Sequence, residues 1–182
     1  FAINTYQVTA TAGANGSLDA STPSPATVNY NATTAFKFNA SANYHVATIT
    51  DTCGGSGYTN TSNSVSTYTY TTPAITAACS VSATFAINTF TVTPSAGAGG
   101  TIAPSTPQSV NYNQTTSFTV TPNTGYHIDT VSGCGGSLVG STYTTGPITA
   151  ACSVSASFAI NTYQVTATAG ANGSLDASTP SP

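Results

Sequence analysis

The sequence predicts an all-β chain of small tandem domains that follow one another without linkers. Three observations carry this expectation. The string FAINT stands at residues 1–5, 85–89 and 158–162, which marks an internal repeat. Thr, Val, Ile, Tyr and Phe recur with period two, while Glu, Arg and Met are absent and Lys37 is the single lysine. Gly, Pro and Asn clusters cut these runs at intervals of about 8–12 residues, as in a protein of many short strands.

The repeat defines the units. Residues 1–84 (unit A) and 85–157 (unit B) align along their length. TAGANGS in A matches SAGAGGT in B, and VNYNATTAFKF matches VNYNQTTSFTV. NYHVATITDTCGGS then matches GYHIDTVSGCGGS, and ITAACSVSA follows towards the end of each unit. Residues 158–182 copy residues 1–25 without a change, whereas A and B differ at 11 of those 25 positions. The order is therefore A, B and the start of another A-type unit. The expectation is a window on a longer alternating array. The rival is a short subunit whose terminal segment duplicates its first strands. No signal peptide opens the sequence, and no apolar run reaches the roughly 20 residues that span a bilayer as a helix.

Within a unit the strands can be placed in order. Asn15-Gly16 and Asn172-Gly173 are turn dipeptides, because both residue types tolerate positive φ. Phe36 and Phe38 share a face and Lys37 points away; Phe118, Thr119 and Val120 repeat the pattern. Tyr126 and Ile128 alternate, with Thr130 next, before Val131 breaks phase. Six or seven short antiparallel strands per unit are expected, in a sandwich-like arrangement. At the junction, Val81, Ala83, Phe85 and Ile87 alternate on odd numbers, then Phe90 and Val92 on even numbers. The apolar face flips near Asn88–Thr89. Phe85, Ile87, Asn88 and Phe90, with the later copies Phe158 and Ile160, are the expected inter-unit junction. One extended segment closing one unit and opening the next predicts a semi-rigid rod with a rotation between units.

Each unit holds two cysteines, Cys53 and Cys79 in A and Cys134 and Cys152 in B. The repeat favours pairing within units, since every unit then closes the same way. Each bridge is worth about 3 kcal/mol by loop closure, and units this small need such staples. Disulfides imply an oxidising, extracellular location. The spacing does not suit zinc, and no metal is expected.

Composition excludes several functions. Charged residues make up 3% of the chain, against roughly 25% in a typical soluble protein. No cluster of Lys or Arg exists to hold nucleic acid. Four scattered acids, Asp19, Asp51, Asp129 and Asp176, do not suit paired-carboxylate catalysis. No nucleophile-elbow motif is present. No catalytic residue, no cofactor and no membrane insertion are expected.

The unit also resembles the divergent internalin-type B-repeat, a bacterial surface repeat. The matching residues are the aromatic Phe90, the Gly99-Gly100 turn, Thr119, Thr121 and Pro122, the Gly125-Tyr126 motif and the closing Phe158. The family tryptophan after the G-Y motif is replaced near Val131, and the cysteine pair is an addition. The resemblance implies tandem arrays in large secreted or cell-surface proteins, acting as stalks or adhesin segments, and a β-grasp-like fold as the alternative to a sandwich. It supplies no catalytic residues.

Other residues were candidates for more specific roles. His45 and His127 occupy equivalent positions after Tyr44 and Tyr126, and read as packing or structural hydrogen bonds. Lys37, flanked by inward aromatics, reads as a solvated strand residue. Six N-x-S/T sequons begin at Asn15, Asn31, Asn39, Asn60, Asn113 and Asn172. The A loop between cysteines is eight residues longer than that of B and carries Tyr58, Tyr68 and Tyr70. These tyrosines form the candidate contact surface. The leading reading is a structural repeat of an extracellular bacterial filament, stalk or sheath whose partner is itself. Low charge on threonine-rich strands favours lateral pairing. The alternative is an adhesin module that recognises a glycan or host surface through the Tyr58–Tyr70 loop.

Overall fold

The computed structural model describes residues 2–176. The first eight strands are β1 (Thr5–Ala12), β2 (Gly16–Leu18), β3 (Ala26–Asn29), β4 (Ala35–Ala40), β5 (Tyr44–Asp51), β6 (Tyr58–Thr59), β7 (Thr67–Thr71) and β8 (Cys79–Ile87). They form a five-stranded sheet, β3-β1-β8-β5-β6, and a three-stranded sheet, β2-β4-β7. The next eight are β9 (Thr89–Ala96), β10 (Gly100–Ala103), β11 (Gln108–Asn111), β12 (Ser117–Pro122), β13 (Tyr126–Ser132), β14 (Ser137–Val139), β15 (Thr142–Thr144) and β16 (Cys152–Ile160). These form the four-stranded sheets β11-β9-β16-β13 and β10-β12-β15-β14. No helix occurs among the described residues. The sandwich-like expectation therefore describes the molecule better than the β-grasp alternative.

The cores follow from period-two alternation. In the first unit Val8, Val28, Val46 and Val81 point inward from the larger sheet, and Phe36, Phe38 and Tyr70 from the smaller. In the second, Val92, Val110 and Val154 face Phe118, Val120 and Tyr143. Thr72 and Thr145 are buried polar residues, and each accepts a backbone N–H, from Thr34 and Thr116, at 3.0 Å. Burial without a partner would cost about 1–3 kcal/mol, so these bonds make the positions tolerable.

The antiparallel expectation is corrected in two respects. Each unit has eight strands, and its first and last are parallel neighbours. β1 pairs with β8 from Val8↔Cys79 to Ala12↔Ala83, and β9 pairs with β16 from Val92↔Cys152 to Ala96↔Ala156. The reason is directional: a chain that leaves a unit in the direction in which it entered needs entry and exit strands that run the same way. The phase break at Val131 is a β-bulge. Register shifts between Ile128 and Thr130, and between Val46 and Thr48 in the first unit. The extra residue returns Val131 to the inner face.

Residues 161–176 carry the same sequence as residues 4–19, yet form no strand. Tyr163 and Val165 are 83% and 85% exposed, whereas their twins Tyr6 and Val8 are partly and fully buried. TYQVTATA is a strand where β3 and β8 flank it, so its β structure comes from pairing rather than from propensity. Of the third repeat start expected at 158–182, residues 177–182 lie outside the described residues, as does Phe1.

The twin positions give a matched test. Val8→Ala should lower the unfolding free energy of the first unit by about 2–3 kcal/mol, while Val165→Ala should stay within about 0.5 kcal/mol of wild type. Urea denaturation of both variants measures the difference.

Candidate inter-unit interface

β8 ends at Ile87 and β9 begins at Thr89, so a single residue, Asn88, separates the units. Its backbone N–H donates to Asn43 O at 2.9 Å, and its carbonyl accepts Tyr112 N–H at 2.8 Å. Its Oδ1 lies 3.0 Å from His45 Nδ1. Asn88 thus bonds backward to the β4–β5 turn and forward to the segment after β11. The turn residue Asn43 has φ 66°, and its counterpart Gly125 has φ 84°. This left-handed conformation suits Asn and Gly, and each offers its carbonyl to the joint.

The same contacts recur at the other copies of the FAINT string. Asn161 N–H donates to Gly125 O at 2.7 Å, and Asn161 Oδ1 lies 2.9 Å from His127 Nδ1. Asn4 O accepts Tyr30 N–H at 2.7 Å. Exposure separates the joint from its copies. His45 is 6% exposed and His127 is exposed. Ile87 is partly buried, while Ile3 and Ile160 are 59% and 64% exposed. Tyr112 is partly buried and Tyr30 is exposed.

The other expected junction residues act within their own units. Phe85 packs on the first core and lies over Gly16, where a Cβ would collide with its ring. Phe158 covers Gly100 in the second unit in the same way. Phe90 packs on the second core with its ring tilted against Tyr112. These three aromatics therefore serve the cores on either side of Asn88, and Phe90 also touches Tyr112 beside it. Their face alternation marked the strands accurately, but they point into a core on one side of the joint.

Disulfides close the opposite end of the same strand pair. Cys53–Cys79 lies beyond the Asp51↔Val81 pairing of β5 and β8, and Cys134–Cys152 beyond Ser132↔Ser155 of β13 and β16. Each exit strand is thus held to its antiparallel neighbour by a covalent bridge at its start and by the His–Asn contact at its end. Asp51 organises the first bridge. Its carboxylate accepts N–H from Cys53 and from Gly55 and O–H from Tyr70.

The tyrosine loop is not an aromatic display. Tyr70 is 7% exposed and belongs to the core. Tyr58 and Tyr68 are partly buried and stack on each other with ring centroids 4.0 Å apart. This corrects the candidate contact surface at Tyr58, Tyr68 and Tyr70, because the shared face of Tyr68 and Tyr70 is the inward face of β7. The repeat held the signal: Tyr70 aligns with Tyr143 through YTT and ITAACS, and Tyr143 is 1% exposed. Lys37 points outward, with Nζ 3.1 Å from Asp19 Oδ2. Asp19 is held well below the usual carboxylate range by the Ser21 hydroxyl first, then by Asn39, the Ser21 N–H and Lys37. An exposed pair of this kind adds little stability. Among the described residues no group of three His, Cys, Asp or Glu could hold a metal.

The geometry defines a class: a small all-β module that enters and leaves in one direction and hands its exit strand to the next module. A family model described as the divergent InlB B-repeat domain matches residues 90–162, from β9 to just past Asn161. The second unit is thus similar to that repeat family, and the first shares its bridge position, parallel register and His–Asn contact. No curated protein and no solved structure matches the chain.

Asn88→Ala should cost about 1–3 kcal/mol, because it leaves the buried His45 without its partner; Asn161→Ala, facing the exposed His127, should cost little. Thermal unfolding compares them. The Tyr70 hydroxyl is pushed up from 10 to about 12, by burial first and then by its hydrogen bond to Asp51 and the charge there. The folded state favours the neutral phenol. That contribution is intact below pH 10 and is lost as pH rises through about 12. Spectrophotometric titration should show this late ionisation, and Tyr70→Phe should remove it.

Proposed function

We propose that the chain is a structural repeat segment of an extracellular bacterial filament, stalk or sheath, in which successive units are its own principal partners. The observation that carries this reading is the parallel pairing of entry and exit strands. Tension along the chain pulls the start of β1 one way and the end of β8 the other. The bonds between Val8↔Cys79 and Ala12↔Ala83 are then loaded together in shear rather than peeled one at a time. The second unit repeats the arrangement from Val92↔Cys152 to Ala96↔Ala156. The bridges limit extension further, and their persistence suits an oxidising compartment outside the cytosol. The repeat family supports a surface location. The adhesin alternative rests on the tyrosine loop, whose rings are engaged in packing.

Single-molecule pulling on the full chain tests the reading. Each unit should yield in one cooperative, high-force event. Reduction should add roughly 90 Å of extension for the first unit and 60 Å for the second, from bridge separations of 26 and 18 residues at about 3.4 Å each. Gradual low-force extension under oxidising conditions would refute it.

A further inference from the structure

The extra residues of the first unit's inter-cysteine loop have a defined destination. Asn60 N–H donates to Ala47 O at 2.8 Å, and Val65 O accepts Val46 N–H at 2.8 Å. The segment between them is therefore held beside the bulge in β5, next to His45. From it Asn63 reaches across the joint to the second unit. Its Oδ1 accepts Thr89 N–H at 3.0 Å, and its Nδ2 donates to Thr89 O. A side-chain amide presents the same donor and acceptor as a peptide group. Asn63 thus pairs with the first residue of β9 as a neighbouring strand would. Asn60 holds the loop in shape by donating Nδ2 to Val46 O and Ser62 O and accepting Ser62 N–H.

The second unit has no such device. Its inter-cysteine segment is eight residues shorter, and β14 turns to the sheet opposite β13 to pair with β15, whereas β6 pairs with β5. We propose that the 60–66 loop is a clasp for the first strand of the following unit, so that a joint after an A-type unit is stiffer than a joint after a B-type unit. The surface is the loop with Asn63 at its tip, and its partner is the backbone at the start of the next repeat. The sequence difference between A and B then sets alternating stiffness rather than ligand binding.

The test uses the full chain. Hydrogen exchange is read at Thr89, whose amide is bonded to Asn63, and at Val46, which reports that the loop is in place. Asn63→Ala should speed Thr89 exchange about fivefold or more, the equivalent of one net hydrogen bond, and leave Val46 protected. Asn63→Asp, which keeps the acceptor and loses the donor, should fall between. Spin labels at Thr69→Cys and Thr121→Cys, on exposed faces of the two units, should give a narrow distance distribution that broadens in Asn63→Ala. Unchanged Thr89 exchange with an unchanged distribution would overturn the proposal.

Discussion

Entry and exit strands that lie side by side and run the same way are the constraint on which the rest depends. Entry and exit strands running in opposite directions would return the chain to the end where it entered, and the units could not propagate in line. The parallel register of β1 with β8, and of β9 with β16, lets the exit strand leave at the far end of the sheet. β8 then becomes β9 with one residue between them. The bridge positions follow from the same constraint. A disulfide at the start of the exit strand closes the sheet away from the joint and leaves the joint end open for contacts with the next unit.

The joint itself uses little material. Asn88 joins backbone bonds on both sides to a side-chain contact with His45. Its burial is reciprocal: His45, Ile87 and Tyr112 are covered at the joint, while their copies at His127, Ile160 and Tyr30 are exposed. The two copies of TYQVTATA make the underlying physics explicit. Identical residues form a buried strand in one place and an exposed, unpaired segment in the other. A half-buried pleated surface supplies the preference, and the residues supply only a side chain that fits it.

Much of this was readable from residues. Period-two alternation placed Phe36, Phe38, Phe118 and Val120 inside, and the odd-to-even switch falls at Asn88, between β8 and β9. Repetition suggested pairing of the cysteines within units. Strand direction was not readable, because alternation carries no sign: β1 and β8 show the same pattern whether they pair parallel or antiparallel. The role of the Tyr58–Tyr70 loop was misread because composition cannot tell an inward tyrosine from an outward one. The alignment of Tyr70 with Tyr143 was the better guide. Asn63 carried no signal at all, since one asparagine among many polar loop residues becomes a clasp only through its distance to Thr89.

Units pass in line through a joint of one residue, Asn88. Residual dipolar couplings from backbone amides of residues 5–87 and 89–160 test it most directly. A rigid joint requires both sets to fit one alignment tensor of common axes and magnitude. Two tensors of different magnitude would mean that the units reorient independently about Asn88, and the account of the chain as a semi-rigid rod would be wrong.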